Sequence, residues 1–272
     1  MLKPKTSGNG VVVFISPLLD ASGVPHGFST RIGGISSGPY ASLNLGNPGD
    51  AHDRDPYSNL IENYSRLFAA CGMSDRILCR VHQVHGNAVI TVDNDDQSPR
   101  SPASPLGPSS TPPQADALVT SHRKMALSIR TADCIPILIA SRDGTQVAAV
   151  HAGWRGVIAN VLGNAITSMQ TNPTNLLLAI GPCIGVDAFE VGEEVASEFA
   201  RTFVDRVIIR QLGKRPRVDL RAAVISQATS LGIPSSNIDY AELCTYRDQK
   251  FFFSHRRDNG LTGRLAAIIG TQ

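Results

Sequence analysis

The chain has 272 residues, of which 42% are hydrophobic and 18% charged, and its formal net charge is +2. This composition supplies a large core and excludes a disordered chain, because disordered chains are poor in apolar residues and rich in one charge. The small net charge predicts no nucleic-acid partner. No run of about 18 apolar residues is present, so we expect no membrane-spanning segment.

The first predicted element is a β-strand at residues 11–15. Lys3 and Lys5 precede this apolar run, which loosely resembles a signal peptide. Ser16 and Pro17 interrupt the run, however, and no A-x-A cleavage site follows it. We therefore interpret the segment as a strand of the mature fold.

Further short β-branched runs, each bounded by Gly, Pro, Asn or Asp, predict more strands. These strands cover residues 77–81, 88–92, 126–130, 134–140, 146–152, 176–180, 207–210, 251–254 and 264–269. Helical spacing of apolar residues predicts helices at 58–72, 157–170, 191–203 and 220–232. The strands in 77–92 and in 126–152 follow one another without a helix between them, so we expect a layered α+β fold rather than β-α-β alternation.

Residues 94–114 differ from the rest, with six prolines and five serines. Proline blocks both helical and sheet hydrogen bonds, and the segment has little apolar surface to bury. The flanking strand-like text at 88–92 and 115–120 is typical of one continuous fold. We therefore expect a surface insertion within a single domain that spans residues 1–272.

Three segments at predicted strand ends combine reactive side chains with turn residues. They are VHQVHG (81–86), RTADC (130–134) and HAGWRG (151–156). Side chains at strand ends can converge, and two histidines with one cysteine would form a catalytic type of zinc site with one open position. Two other interpretations stay open: a core cysteine with hydrogen-bonded histidines, or a Cys–His hydrolase in which Cys134 is the nucleophile and His85 or His151 the base.

Polar residues beside turns are candidates for substrate binding. Arg31, Arg155 and Arg256 each lie next to a turn or a strand end, and guanidinium groups bind phosphate or carboxylate in a bidentate way. Asn44 and Glu190 stand between apolar neighbours and point either into a site or at a backbone carbonyl. The alternative for each arginine is solvation or pairing with an aspartate. The five cysteines include no Cys-x-x-Cys pair and are odd in number, which favours reduced thiols in the cytoplasm over a disulfide scaffold.

Together these segments resemble a known family, the YfiH/YlmD-type proteins, which also carry laccase-domain and polyphenol oxidase labels. The resemblance runs from about residue 24 to the C-terminus. It rests on the following segments, which occur in the same order in that family: HGFSTRIGGISSGPYASLNLG (26–46), QVHG (83–86), ADALVT (115–120), TADC (131–134), AAVHAGWRG (148–156), AIGPCIG (179–185), FEVG (189–192), CTYR (244–247) and FFFSHRRDNGLTGRLAAII (251–269).

The resemblance implies a single-domain α/β/β/α sandwich with mixed β-sheets. It implies zinc bound by His85, Cys134 and His151, with His82 outside the metal shell. It implies phosphorolysis of adenosine, inosine, guanosine or methylthioadenosine, together with deamination of adenosine. The partners would then be a purine nucleoside and phosphate, bound with help from Arg31, Asn44, Arg155 and Arg256, in a monomer or small homo-oligomer. Alternatives are a hydrolase that edits peptidoglycan precursors, a copper polyphenol oxidase, or a non-catalytic protein that keeps the pocket as a relic.

One position departs from the family pattern. Many members read E-N-R where this chain reads Glu62-Asn63-Tyr64. An arginine there would bind phosphate if the end of helix 58–72 bordered the pocket. We therefore expect Tyr64 to weaken phosphorolysis relative to deamination, unless its ring only packs against Phe68 and another arginine binds the phosphate.

Overall fold

The computed structural model describes residues 1–47, 54–92, 113–203 and 207–272. In these ranges the strands are β1 (Lys3–Thr6), β2 (Val12–Ile15), β3 (His26–Ser29), β4 (Ile77–Cys79), β5 (Val89–Thr91), β6 (Ala117–Thr120), β7 (Met125–Thr131), β8 (Ile135–Ser141), β9 (Val147–Ala152), β10 (Leu176–Ile180), β11 (Ile208–Ile209), β12 (Arg217–Val218), β13 (Ile238–Tyr240) and β14 (Leu265–Gly270). The α-helices are α1 (Pro17–Ala21), α2 (Tyr57–Ala70), α3 (Trp154–Ile158), α4 (Val161–Met169), α5 (Glu193–Thr202) and α6 (Leu220–Ser230).

Two six-stranded sheets form the centre of the molecule. The first has the order β1-β2-β3-β14-β7-β4 and the second the order β13-β10-β8-β9-β6-β5. Most neighbouring strands are antiparallel, but β4–β7, β5–β6 and β10–β13 are parallel pairs, so both sheets are mixed. The short strands β11 and β12 pair with each other apart from the two sheets.

The side chains of the central strands are buried on both faces, which explains their continuous apolar runs. In β8, Ile137 and Ile139 point to the helices α4, α5 and α6, whereas Leu138 and Ala140 point to the other sheet. On the far side, α2 covers the first sheet. Its apolar residues recur about once per helical turn and pack on that sheet. They include Leu60 and, two turns later, Leu67. The result is the expected α/β/β/α sandwich.

Two elements differ from the sequence-based prediction. The helix expected at 157–170 is two helices, because Asn160 adopts a left-handed backbone conformation with φ of 59° and its side chain caps α4 by accepting from the Gly163 N–H. The strand expected at 251–254 is irregular: Phe252 and Phe253 are fully buried without joining a sheet. Strands β1, β3, β12 and β13 and helix α1 are not predicted by the sequence. The sequences of β1 (KPKT) and β3 (HGFS) contain no run of β-branched residues.

Most of the proline- and serine-rich insertion expected at 94–114 lies outside the described residues. At its far end Gln114 forms an isolated parallel bridge with His82. None of the described helices is both long and apolar enough to cross a bilayer.

Candidate metal centre

Three side chains from three segments converge at one end of the second sheet. His85 lies in the loop after β4, Cys134 directly precedes β8, and His151 lies in β9. Antiparallel pairing of β8 with β9 sets Pro136 opposite His151 and so brings Cys134 close to this histidine. One ligand atom from each of His85, Cys134 and His151 lies within 4.8 Å of the others. The structure therefore brings together all three residues predicted to bind the metal.

Asp116 fixes both histidines. Its carboxylate lies 2.8 Å from Nδ1 of His151 and accepts hydrogen bonds from the backbone N–H groups of Val84, His85 and Gly86 at 3.2, 3.0 and 2.6 Å. Because a carboxylate only accepts, Nδ1 of His151 carries a proton that it donates to Asp116, and Nε2 is the ring nitrogen left to coordinate a metal once it is deprotonated. Burial raises the pKa of Asp116, but the bonds from His151 and the backbone outweigh burial and lower it. Asp116 and His151 thus form the carboxylate–histidine pair that is common where a histidine binds a metal.

The thiol and the imidazole change each other's protonation. Burial raises the pKa of Cys134, but His151 and His85 outweigh burial and lower it to about 6. Burial lowers the pKa of His151, but the Cys134 sulfur and Asp116 outweigh burial and raise it to about 9. At neutral pH and without metal, Cys134 and His151 are therefore a thiolate–imidazolium pair, and the thiolate is the form that binds a metal.

The backbone around the cluster is shaped for these donors. His85 has φ of 59° and Asp133 has φ of 96°, left-handed conformations that are uncommon for side chains other than glycine. Gly153, which precedes α3, leaves space beside them: a Cβ there would lie 2.7 Å from Cδ2 of His85 and 3.2 Å from Sγ of Cys134. The two left-handed residues and the glycine thus lie together where the three ligand atoms meet. Uncommon backbone conformations of this kind cluster at functional sites.

The donor set fits zinc. Two imidazoles and a thiolate suit a borderline-soft ion, and three protein ligands leave the fourth tetrahedral position open to water or substrate. The three donors also lie in the wall of a cavity of about 570 Å³, so that open position would be reachable by a ligand.

The cavity is rich in cations. Four arginines line it together with His82, His255 and Gln83: Arg54, Arg130, Arg256 and Arg264. Asp133 is the acidic residue among its described lining groups. Both of its carboxylate oxygens accept hydrogen bonds from the protein, one from the Thr245 hydroxyl at 2.6 Å and one from the Arg256 N–H at 2.7 Å. The cavity therefore favours an anionic ligand.

Comparison with known proteins identifies the family. A family model described as multi-copper polyphenol oxidoreductase laccase matches residues 25–272. The Escherichia coli K12 protein named purine nucleoside phosphorylase YfiH is 36% identical over 242 residues, covering 89% of this chain and 91% of the relative. The chain belongs to this family.

Other members of the YfiH/YlmD family agree in sequence and in structure. Purine nucleoside phosphorylase YlmD of Geobacillus stearothermophilus is 32% identical over 258 residues, covering 92% of this chain and 90% of the relative. The crystal structure of that YlmD matches with a TM-score of 0.86 at 30% identity, covering 99% of this chain and 98% of that chain. The crystal structure of the Bacillus licheniformis hypothetical protein YfiH gives the same TM-score at 25% identity and covers 99% of each chain. The layered fold is thus the fold of the YfiH/YlmD family.

Of the residues predicted to bind substrate in this YfiH/YlmD chain, only Arg256 is found in the cavity wall. Arg31 donates from Nε to the Ala41 carbonyl at 2.7 Å and lies over the Phe253 ring. Arg155 is exposed and stacks on Trp154, with 4.8 Å between its guanidinium carbon and the ring centroid. The structure does not bring Arg31 and Arg155 to the described cavity wall, so substrate binding by these two residues stays a prediction.

Asn44 also has a different role. Its side chain is fully buried, donates to Asp55 Oδ2 at 2.9 Å and accepts from the backbone N–H of Arg264 at 2.8 Å. A side chain with no exposed surface cannot contact substrate, so its prediction as a binding residue is corrected. Asn44 instead holds the backbone of an arginine that lines the cavity.

The expectation for Tyr64 rested on its helix bordering the pocket, and this placement is wrong. Tyr64 is 2% exposed and is not among the described lining residues of the cavity. Its ring meets Phe68 edge to face with 6.4 Å between centroids, and its hydroxyl lies 3.3 Å from Ser128 Oγ. The packing interpretation of Tyr64 is therefore the one the structure supports, and the cavity has other arginines for an anion.

Several residues of the site are not predicted from the sequence. Asp116 lies within the segment 115–120, where a single acidic residue among apolar ones gives no periodic signal. Arg54, Arg130 and Arg264 were not singled out because each becomes relevant only through its place in the cavity. Arg130 immediately precedes the TADC segment, which was the only signal that could have found it.

Proposed function

We propose that this YfiH/YlmD-family protein is a zinc-dependent purine nucleoside enzyme. It phosphorolyses adenosine, inosine, guanosine or methylthioadenosine, and it deaminates adenosine. The observation that carries this proposal is the three-donor cluster in the wall of an arginine-lined cavity of about 570 Å³. The names of the curated relatives, purine nucleoside phosphorylases, supply the substrate class.

His85, Cys134 and His151 would hold the zinc, with Asp116 keeping Nε2 of His151 free for it. Bound there, zinc would supply Lewis acidity and lower the pKa of a water toward about 7, the chemistry that hydrolytic deamination requires. The protein supplies the geometry: the backbone bonds to Asp116 fix the His85 loop before a ligand arrives.

Phosphorolysis needs an oxyanion close to the sugar. A phosphate oxygen forms the bond to C1′ of the ribose while the bond from C1′ to the purine breaks and the purine takes the electron pair. The arginines of the cavity would bind and orient the phosphate through charge-assisted hydrogen bonds, which are about twice as strong as neutral ones. Holding phosphate and nucleoside in one cavity reduces the entropic part of the barrier.

Two alternatives are less well supported. A relic pocket would be apolar and filled, whereas the described lining carries four arginines. A multi-copper oxidase needs several copper ions, whereas one group of three donors meets the ligand spacing within the described residues. All five cysteines are free, in keeping with a reducing compartment such as the cytoplasm.

The test is product analysis with the purified protein. Adenosine and phosphate are incubated with the wild type and with Cys134→Ala, and adenine, ribose 1-phosphate and inosine are separated by chromatography. We expect these products with the wild type only. Absence of adenine, hypoxanthine and inosine above the Cys134→Ala control would rule out the proposal.

Metal content gives an independent test. Protein purified without added metal should contain about one zinc per chain by elemental analysis. Several copper atoms per chain, with oxidation of phenolic substrates, would support the oxidase instead.

A further inference from the structure

Among the described residues that line the cavity, Arg130 differs from its neighbours in the bonding of its guanidinium group. Within the described ranges, the structure records no hydrogen bond or ion pair for the guanidinium of Arg130. By contrast, Nη1 of Arg256 donates to the Glu190 carbonyl at 3.0 Å. Nη1 of Arg264 donates to the carbonyls of the adjacent segment. The Arg130 guanidinium nitrogens have no recorded partner among the described residues and are not among the fully buried unpartnered atoms, so they open into the cavity and are available to a ligand.

The rest of Arg130 is held firmly. Nε2 of Gln83 donates to the Arg130 carbonyl at 2.7 Å, and the Arg130 N–H donates back to Oε1 of Gln83 at 2.8 Å. Gly46 leaves space for the side chain, since a Cβ there would lie 2.7 Å from Nη1 and 2.9 Å from Cδ of Arg130. The two Gln83 bonds also join Arg130 to the loop that carries His85. These two bonds therefore fix the backbone of Arg130 relative to the loop that carries His85.

A second cation lies beside it. Burial lowers the pKa of Arg264, and the charge of Arg130 lowers it further, so the two guanidinium groups repel each other. The charges of Cys134 and Asp133 raise the pKa of Arg264 and offset part of this repulsion. Asp133 is the carboxylate among the described lining residues, and both of its oxygens already accept hydrogen bonds from Thr245 and Arg256. An anion with several oxygens would relieve this repulsion and satisfy the N–H groups of Arg130 at once.

We propose that Arg130, with Arg264 beside it, binds the phosphate group used in the reaction. The assignment rests on the phosphorylase function proposed above, in which inorganic phosphate is the second substrate. The same arginines could bind the phosphate of a phosphorylated nucleoside, and the experiment distinguishes the two sources.

The kinetic arm compares the wild type with Arg130→Gln, Arg130→Met and Arg130→Lys. Arg201→Gln is the matched control, because Arg201 is exposed and pairs with Glu198 on α5. We expect Arg130→Gln and Arg130→Met to raise the KM for phosphate roughly 10- to 100-fold, with the KM for nucleoside within about two-fold. Arg130→Lys should recover part of the loss, and Arg201→Gln should match the wild type. An unchanged KM for phosphate in either neutral variant, folded as judged by circular dichroism, would overturn the assignment.

The binding arm needs no turnover. Inorganic phosphate and adenosine 5′-monophosphate are each titrated into the same variants by calorimetry. Weaker binding of inorganic phosphate to Arg130→Gln supports the assignment even if no nucleoside is phosphorolysed, and in that case the proposed function alone fails. Loss of nucleotide binding with unchanged phosphate binding would overturn the co-substrate assignment.

Discussion

His26 and His151 are buried to the same extent, each 4% exposed, yet their environments are opposite. In His26, Nε2 accepts from the Ser16 N–H at 2.8 Å and Nδ1 lies 2.8 Å from the Val24 carbonyl, so both ring nitrogens are satisfied by backbone. In His151, Nδ1 meets the carboxylate of Asp116 and Nε2 is left for a ligand.

The difference appears in the pKa values. Burial lowers the pKa of His26, whereas Cys134 and Asp116 overcome burial and raise the pKa of His151 to about 9. Burial alone therefore does not distinguish a structural histidine from a functional one. The two histidines differ instead in their partners: one ring nitrogen of His151 meets a carboxylate and the second has no backbone partner among the described residues, whereas both nitrogens of His26 meet backbone groups.

Replacing each histidine by alanine should distinguish the roles of His26 and His151 most clearly. His151→Ala removes one of three donors, so we expect zinc content near zero and activity reduced by at least about 100-fold. His26→Ala should keep both, since His26 is not part of the cluster. Elemental analysis and nucleoside assays on the two variants check this, and full activity in zinc-free His151→Ala would contradict the assigned site.

Asp116→Asn tests what orients His151. The amide retains one acceptor but introduces a donor where Asp116 accepts from His151 and three backbone N–H groups. We expect zinc affinity to fall about 10- to 100-fold, measured by competition with a chelator. Asp143→Asn, at an exposed turn, is the control. Equal zinc affinity in Asp116→Asn and wild type would show that the carboxylate is not needed.

His26→Ala should act on stability rather than on chemistry. Two buried backbone groups would lose their partner, at a cost of about 1–3 kcal/mol in the free energy of unfolding. Urea denaturation of zinc-loaded protein measures the change. A loss of activity at a temperature where the variant remains folded would contradict a purely structural role.

The smallest effect is a dependence of stability on pH. The folded pKa of His26 lies below its unfolded value of about 6.5, so the unfolded chain takes up the proton more readily. The stabilisation by neutral His26 is thus complete above about pH 6.5 and is lost as the pH falls through the folded pKa.

The matched variant is His26→Gln, which cannot titrate. Between pH 7 and pH 5, wild type should lose more stability than His26→Gln, by about 1.4 kcal/mol for each pKa unit of lowering. Denaturation of both metal-free proteins at each pH isolates this difference. Parallel pH profiles would show that His26 contributes none of the acid sensitivity.

The sequence allowed prediction of those parts of the fold whose signal is local. Strands such as β8 and β10 are continuous apolar runs because both faces are covered. The break between α3 and α4 was missed because it depends on one backbone dihedral at Asn160. The stretch 251–254 was assigned to a strand because its phenylalanines are apolar, but burial there comes from packing without pairing.

The candidate site divides in the same way. Resemblance to the family identified His85, Cys134 and His151, and histidine and cysteine are residue types that commonly bind metals. Asp116 and Arg130 were missed, because a carboxylate or guanidinium gains its role only from what the fold sets opposite it. Asn44 was misassigned for the converse reason: a polar residue among apolar ones was supporting a backbone.

Gly153 shows that a metal centre also depends on an atom that is missing. A methyl group at this position would overlap the edge of His85 and crowd the sulfur of Cys134, although no ligand would have changed. His85, on an exposed loop, would be displaced first. In a chain that keeps His85, Cys134 and His151 but carries alanine here, the His85 side chain would have to shift, so the identity of these three residues alone does not guarantee the geometry of the cluster.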